Sequence, residues 1–303
     1  MSFMNSSKPD YSFADKLILG TAQMGMDYGI NNHKGKISQK ESLSILKYAY
    51  QRGIKNIDCA ESYGDSHELI GVFHKNNPNL QFNINTKIAA TTGDSSIYVI
   101  VEEFLKNLNS NRIDSLMFHS FSAYNSNVRN FKDIVKLKES GIINKIGVSV
   151  YSNSEIEEII NDDRIDLIQI PYNILDSSIE KIDLIKKGKS NGKIVQARSI
   201  YLQGLFFRDP NENNIIVDKL KPELKEIIRI SSENNIPIVN LALSYVLQKE
   251  YIDYVLIGVD SLSQLKQNLA IVDLELEENI LKSIDQIKTK NIDFLNPVTW
   301  LNY

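Results

Sequence analysis

The feature that most constrains this chain is an eightfold alternation of short apolar runs with stretches of helical period. The runs are KLILGTA (16–22), IKNIDCA ending near residue 60, FNINTKIA (82–89), SLMFHS, KIGVSV (145–150), LIQIPY, KIVQARSI and YVLIGV. Each is brief, continuous and rich in Ile and Val, the pattern of parallel strands buried on both faces. Between them the period changes to 3.6. One helix, predicted from about Ser95, carries Ile97, Ile100, Val101, Phe104, Leu105 and Leu108 on a single stripe. Ser38 with Glu41, and Ser152 with Glu155, stand at capping-box spacing before two others. Most strand starts lie roughly 20 to 40 residues apart, which suits βα units. A longer gap (200–253) leaves room for a covering loop at YLQGLFFRDPNENN and two helices. Eight such units predict an α/β fold closed as a (β/α)8 TIM barrel rather than an open doubly wound sheet. No linker or internal repeat divides the chain. Residues 1–303 are therefore read as one domain, with a C-terminal tail (about 289–303) near the substrate pocket.

Composition narrows the function. Thirty-four basic against thirty-eight acidic residues leave a net charge of −4, so no basic field exists to hold a nucleic acid. No run of eighteen apolar residues appears, and no membrane span is expected. The opening MSFMNSSKPDYSF lacks the charged-then-apolar pattern of a secretion signal, and the expectation is a cytoplasmic protein. Cys59 is the only cysteine, which excludes an intrachain disulfide or a multi-cysteine metal site. His33, His67 and His74 show no ligand spacing with acidic partners. They are assigned to loops and helix surfaces, and no metal is expected.

In a barrel of this kind, chemistry belongs at the C-terminal ends of the strands. Asp58 in NIDCAESYG, Tyr63 just beyond it, Lys87 in INTK and His119 in LMFHS all fall there. Each has a bland reading: a helix cap, surface decoration, a solvated cation, a structural imidazole. Four from three consecutive strands and one following loop are harder to dismiss. An ammonium beside a phenol favours the phenolate and lowers its pKa from about 10. An aspartate would hold that lysine, and a histidine would orient a carbonyl. Such an assembly can give a proton to an oxygen while a hydride reaches the attached carbon. Cys59, between two of these residues, reads as a small buried packing residue rather than a nucleophile.

These residues resemble the aldo-keto reductase family from about Lys16 to Asn268. GTAQMG is similar to the family's opening, and IDCAESYG to its Asp-Thr-Ala-x-x-Tyr-Gly signature. The family's tetrad falls on Asp58, Tyr63, Lys87 and His119. The resemblance implies reversible reduction of an aldehyde or ketone with NADP(H) or NAD(H), with Tyr63 as general acid/base and a small-molecule carbonyl as partner. It implies a monomer by family default. It also places cofactor contacts at Thr21, Ala22, Gln23 and Asp58. Ser149 and Gln169 would hold the nicotinamide carboxamide, with Asn173 in the related Tyr-Asn turn and Val150 where the family usually has Asn. Arg198 stands where an aromatic usually stacks on the ring. It either stacks through its guanidinium or forms a salt bridge at the strand end. Ser199, Tyr201, Gln203 and Gly204 resemble the pyrophosphate-covering segment.

The adenosine end would lie on IGVDSLSQLKQNL, at Gly258, Asp260, Ser261, Gln264, Gln267 and Asn268. Asp260 and Gln264 stand where the family commonly has cations for a 2′-phosphate. An aspartate repels phosphate yet accepts from a free ribose hydroxyl, which makes NADH an alternative to NADPH. Ser261 with Gln264 also reads as an ordinary capping box. Met24, Tyr28, Phe121 and Trp300 are the candidate pocket walls, with Tyr124 and Tyr303 nearby. The Asn- and Ser-rich loops suit a polyhydroxylated substrate, and the long first loop resembles a bacterial subgroup linked to surface-polysaccharide or sugar metabolism. Two other readings remain: Lys87 as a Schiff-base lysine of an aldolase or lyase, and a low-turnover cofactor-binding sensor or scaffold.

Overall fold

Eight parallel strands close into a barrel in the order β1 to β8: β1 (Leu17–Gly20), β2 (Asn56–Asp58), β3 (Asn83–Ile88), β4 (Ile113–Phe118), β5 (Ile143–Ser149), β6 (Leu167–Pro171), β7 (Ile194–Arg198) and β8 (Tyr254–Ile257). The computed structural model describes residues 13–30, 32, 35–89, 96–270 and 272–302. All eight apolar runs become strands. Barrel closure leaves no open sheet edge, and the helices cover the outer face of the strands, so both faces are buried.

The helices are α1 (Ala22–Gly25), α2 (Gln39–Gln51), α3 (Ser66–Asn76), α4 (Ile97–Leu108), α5 (Phe121–Ser126), α6 (Phe131–Glu139), α7 (Asn153–Ile160), α8 (Ile179–Ser190), α9 (Ile215–Lys219), α10 (Lys221–Asn234), α11 (Ile238–Leu247), α12 (Leu262–Ala270) and α13 (Glu278–Asp285). Local chemistry sets several boundaries. Ser96 caps α4 by accepting from the Tyr98 N–H, while Ser95 lies outside the described residues. Ser152 and Glu155 form the full reciprocal box at α7. At α2 only half of that box forms. Ser38 accepts from the Glu41 N–H, but the Glu41 carboxylate reaches across to the Leu262 N–H at 2.9 Å. The 200–253 gap holds three helices, α9 to α11, rather than two, because Asn214 caps a further short turn.

His67 and His74 correct the surface assignment made from sequence. Both are buried, at 5% and 0% exposure, on the face of α3 that packs inward with Ile70. His67 bonds Thr86 Oγ1 at 2.8 Å. His74 accepts from the Phe82 N–H through Nε2, so its Nδ1 carries the proton it donates to the Leu108 carbonyl. A neutral ring bonded through both nitrogens, as at His74, can be buried without a metal. Their spacing with Ile70 (67, 70, 74) was a helical-face signal. His33 lies outside the described residues. Among the described residues, no helix is long and apolar enough to cross a membrane.

Candidate active site

Three strand ends and one turn bring the four polar residues together. Asp58 closes β2, Lys87 sits one residue before the end of β3, and His119 follows β4 directly. Tyr63 occupies the turn between β2 and α3. Backbone packing sets that turn. Thr21, at the end of β1, donates its N–H and its hydroxyl to the Asp58 carbonyl at 3.0 and 2.9 Å. The α1 turn then lies on the Tyr63 backbone. A Cβ on Gly25 would fall 1.8 Å from the Tyr63 carbonyl oxygen, and one on Gly64 (φ +52) would fall 2.2 Å from that of Gly25. Only two glycines permit this approach. Their places in GTAQMG and ESYG follow from it.

The tetrad rests on a buried polar chain that crosses the barrel. Lys87 Nζ donates to Asp58 Oδ1 and to the Cys59 carbonyl, the latter at 3.3 Å. Gln169, on the opposite side of the lumen in β6, donates Nε2 to Asp58 Oδ2 at 2.8 Å and to Gln196 Oε1 at 3.1 Å. The registers Ser149↔Gln169 and Gln169↔Gln196 align these side chains in one layer of the lumen. Lys87, Asp58, Gln169 and Gln196 are all 2% exposed or less. A carboxylate only accepts, so the Gln169 amide must turn its NH2 inward. Its Oε1 alone is left for a ligand. Sequence reasoning missed Gln196; the signal was a polar residue in the middle of an otherwise apolar strand.

Proton positions follow from burial. Tyr63 lies with its ring centroid 5.5 Å from that of His119 and 5.1 Å from Lys87 Nζ. Burial first, and then the Asp58 charge, push its phenol well above the ordinary value near 10, with Arg198 pulling the other way. This reverses the sequence expectation that Lys87 would lower it. The Lys87 charge is matched by Asp58, and desolvation of the phenolate then dominates. Tyr63 is thus a protonated phenol at neutral pH. His119 is pulled down to about 4 by burial and by the Lys87 and Arg198 charges, so its imidazole is neutral. Its Nδ1 bonds Ser62 Oγ at 3.2 Å, a contact the sequence did not single out. Cys59 is fully buried and its thiol is pushed up to about 12 by that burial, so it offers no thiolate.

Arg198 ends β7 beside the carboxamide candidates. It donates to Ser149 Oγ at 3.3 Å, to the Val150 carbonyl at 3.2 Å and to Ser199 Oγ at 3.2 Å, and its guanidinium lies 4.1 Å from the centre of the Tyr151 ring. It is therefore held flat by an aromatic face rather than by a carboxylate. Asn173 is committed to the backbone, to Ser199 O and to the Leu175 and Asp176 N–H groups. Beyond β7, Ser199, Leu202 and Gln203 are left-handed together with Gly204, a strained run of the kind found at ligand clamps. The Tyr201 hydroxyl is buried without a hydrogen-bond partner among the described residues. A buried orphan hydroxyl and an uncommitted Gln169 Oε1 fit a polar ligand such as a nicotinamide dinucleotide.

The remaining candidates separate. Gln23 lies over Gly258, where an added Cβ would come within 2.6 Å of its Nε2, and Ala22 is buried beside it. Ser261 accepts from the Gln264 N–H, but Gln264 Oε1 accepts from the Asp260 N–H rather than that of Ser261, so only half of the expected capping box forms at that turn. Asn268 is buried and Gln267 exposed on α12. The hydroxyl of Tyr28 accepts from Gln203 Nε2 at 3.1 Å, joining the first loop to the segment after β7. Phe121 stacks on Tyr124, with ring centroids 6.0 Å apart. Met24 (1% exposed) belongs to the hydrophobic core, and Trp300 (8%) packs in the tail with its indole N–H on the Phe294 carbonyl. Tyr303 lies outside the described residues.

Comparison with known proteins gives a consistent set. The profile of the aldo/keto reductase family matches residues 16–289. An NADH-specific methylglyoxal reductase of Escherichia coli (strain K12) is 24% identical over 80% of this chain and 86% of its own length. A D-threo-aldose 1-dehydrogenase of a Pseudomonas species is 22% identical over 90% of this chain and 95% of its own. Among solved structures, an aldo-keto reductase from Bacillus halodurans in its holo form superposes with a TM-score of 0.72 at 22% identity, covering 91% of this chain and 94% of that one, a likeness of fold.

Proposed function

This chain belongs to the aldo/keto reductase family and is an NAD(P)H-dependent oxidoreductase acting on a carbonyl, and from that premise we propose that Tyr63 is its proton donor and a small polyhydroxylated aldehyde or ketone its substrate. The observation that carries this reading is the half-buried Tyr63 set against the buried Lys87–Asp58 pair, with its phenol held protonated at neutral pH. A dinucleotide held there would supply the hydride that reaches the carbonyl carbon. Tyr63 gives its proton to the carbonyl oxygen, and the Lys87 ammonium offsets the charge the departing proton leaves on the phenol. Asp58 and Gln169 keep Lys87 in place. With Ser62 Oγ as the donor in its contact with His119 Nδ1, the imidazole proton would sit on Nε2, where it could donate to the same carbonyl oxygen.

Ser149, Gln169 and Arg198 are the proposed nicotinamide contacts; Ser199, Tyr201, Gln203 and Gly204 the pyrophosphate contacts; and Gly258 to Asn268 the adenosine end. The sugar preference draws on the Asn- and Ser-rich loops and on the aldose-acting relative. We also read the chain as one domain whose tail, 289–303, borders the pocket. In support, Asn291 Nδ2 donates to the Lys219 carbonyl, at the end of the helix that follows the β7 loop. The Schiff-base alternative lacks support, because Lys87 Nζ is engaged by Asp58 Oδ1 and the Cys59 carbonyl rather than open to a carbonyl substrate.

The test is Tyr63→Phe, with dinucleotide affinity measured separately from turnover. Turnover should fall by about 10²–10⁴ while dinucleotide affinity is unchanged. Alcohol oxidation, which needs the phenolate, should rise with pH above neutrality, and carbonyl reduction should not. A Phe variant that still turns over at the parent rate refutes the assignment.

A further inference from the structure

We propose that Glu41 sets the dinucleotide preference, filling with its own carboxylate the helix start that a 2′-phosphate would need, and so selecting NADH. The inference rests on the reading above that 258–268 holds the adenosine end. Glu41 belongs to α2, and its local role would be to close the capping box with Ser38. It does not do so. Its Oε1 instead accepts from the Leu262 N–H at 2.9 Å, 221 residues away in sequence, at the first residue of α12.

Two further donors of that turn are also taken by this chain. The Asp260 N–H donates to Gln264 Oε1 at 2.7 Å, and the Gln264 N–H to Ser261 Oγ at 3.2 Å. A helix start binds an anion because its N–H groups are unfilled and its dipole is positive there. Here the anion is already present as the Glu41 carboxylate, and Asp260 adds a second acidic residue in the same turn. The cation of the segment is directed elsewhere: Lys266 Nζ lies 5.4 Å from the centre of the Tyr48 ring on α2. A 2′-phosphate would bring nearly two further negative charges against that carboxylate and displace a made hydrogen bond. A free 2′-hydroxyl is instead a donor, and Glu41 Oε2 is an acceptor with no partner among the described residues. The same carboxylate therefore repels one dinucleotide and can hold the other.

The test is calorimetric titration of the full chain with NADH and NADPH. Adenosine 5′-monophosphate and adenosine 2′,5′-bisphosphate serve as probes that differ only in the 2′-phosphate. NADH should bind at least about tenfold more tightly than NADPH, and the monophosphate more tightly than the bisphosphate. Glu41→Gln keeps an oxygen for the Leu262 N–H and removes the charge. It should improve NADPH and bisphosphate binding about five- to tenfold and weaken NADH binding a few-fold, because the NH2 that replaces Oε2 cannot accept from the 2′-hydroxyl. Salt gives a measurement that needs no variant. Repulsion is screened, so added NaCl should narrow the NADH preference, whereas a phosphate held by cations would lose affinity. Equal or tighter NADPH binding by the parent protein, or NADPH affinity that falls with salt more than that of NADH, overturns the inference alone. Binding of neither dinucleotide overturns the site reading beneath it, and the inference with it.

Discussion

Gly25→Ala tests whether backbone packing, rather than side-chain contact, aims Tyr63. The added methyl carbon would start 1.8 Å from the Tyr63 carbonyl oxygen and 2.9 Å from the Ser66 nitrogen, whereas folded proteins keep such contacts beyond 3.0 Å. Both neighbours are backbone, so no rotamer change relieves the clash. The Tyr63 turn must retreat by more than about 1 Å, and a misplacement of that size costs on the order of 10²-fold in rate. The overpacking itself costs roughly 1–3 kcal/mol, a fall of a few degrees in thermal midpoint. Dinucleotide affinity should stay within about threefold, because Ser149, Gln169 and Arg198 sit on β5 to β7, across the barrel. Steady-state kinetics with a generic aldehyde, beside a dinucleotide titration and a melting curve, reads all three. Gly141→Ala is the control: its φ of +77 is strained for alanine, but nothing lies within 4 Å. It should lose about 1 kcal/mol of stability and no activity. A folded Gly25→Ala enzyme with parental kcat would refute the claim that this glycine contact places the phenol.

Other expectations follow from the same geometry. Asp58→Asn leaves the Lys87 ammonium buried against an amide and should cost about 3–5 kcal/mol, read as a lower denaturant midpoint; an unchanged midpoint means the pair is not a buried ion pair in solution. Tyr201→Phe removes a hydroxyl with no partner among the described residues, so the free protein should be no less stable while dinucleotide binding weakens several-fold. Unaltered affinity would remove Tyr201 from the site. His67 is held down to about 4 by burial. The unfolded chain takes that proton below about 6.5 and the folded chain does not, so the contribution is full above pH 6.5 and is lost as pH falls towards 4. The loss is on the order of 3 kcal/mol, and His67→Asn should flatten that part of the stability-against-pH curve; equal slopes would contradict it.

Much of the architecture was legible without coordinates because its determinants are local. A strand buried on both faces must be apolar at consecutive positions, and a helix start needs a cap within three residues. The eight runs and the Ser152–Glu155 box therefore show in the sequence as written. The tetrad was legible for a related reason: in a closed barrel, strand ends converge, so position along each strand already fixes position in space. The inward histidines of α3 could also have been read, from their shared period with Ile70.

What only the tertiary structure decided are the pairings between segments far apart in the chain. Gln196 orienting Gln169, and Gln169 reaching Asp58 111 residues away, exist because closure brings β2 and β6 to face each other across one lumen. Glu41 satisfies a capping pattern with Ser38, yet its carboxylate goes to Leu262, because α2 and α12 lie side by side around the barrel. The proton on Tyr63 was settled the same way. A neighbouring lysine predicts a lowered pKa, but the depth at which the barrel holds both groups, with Asp58 matching the lysine, makes the cost of burying a phenolate the larger effect. Periodicity and capping are properties of a few adjacent residues. Charge, burial and hydrogen-bond choice depend on what the whole fold sets beside them.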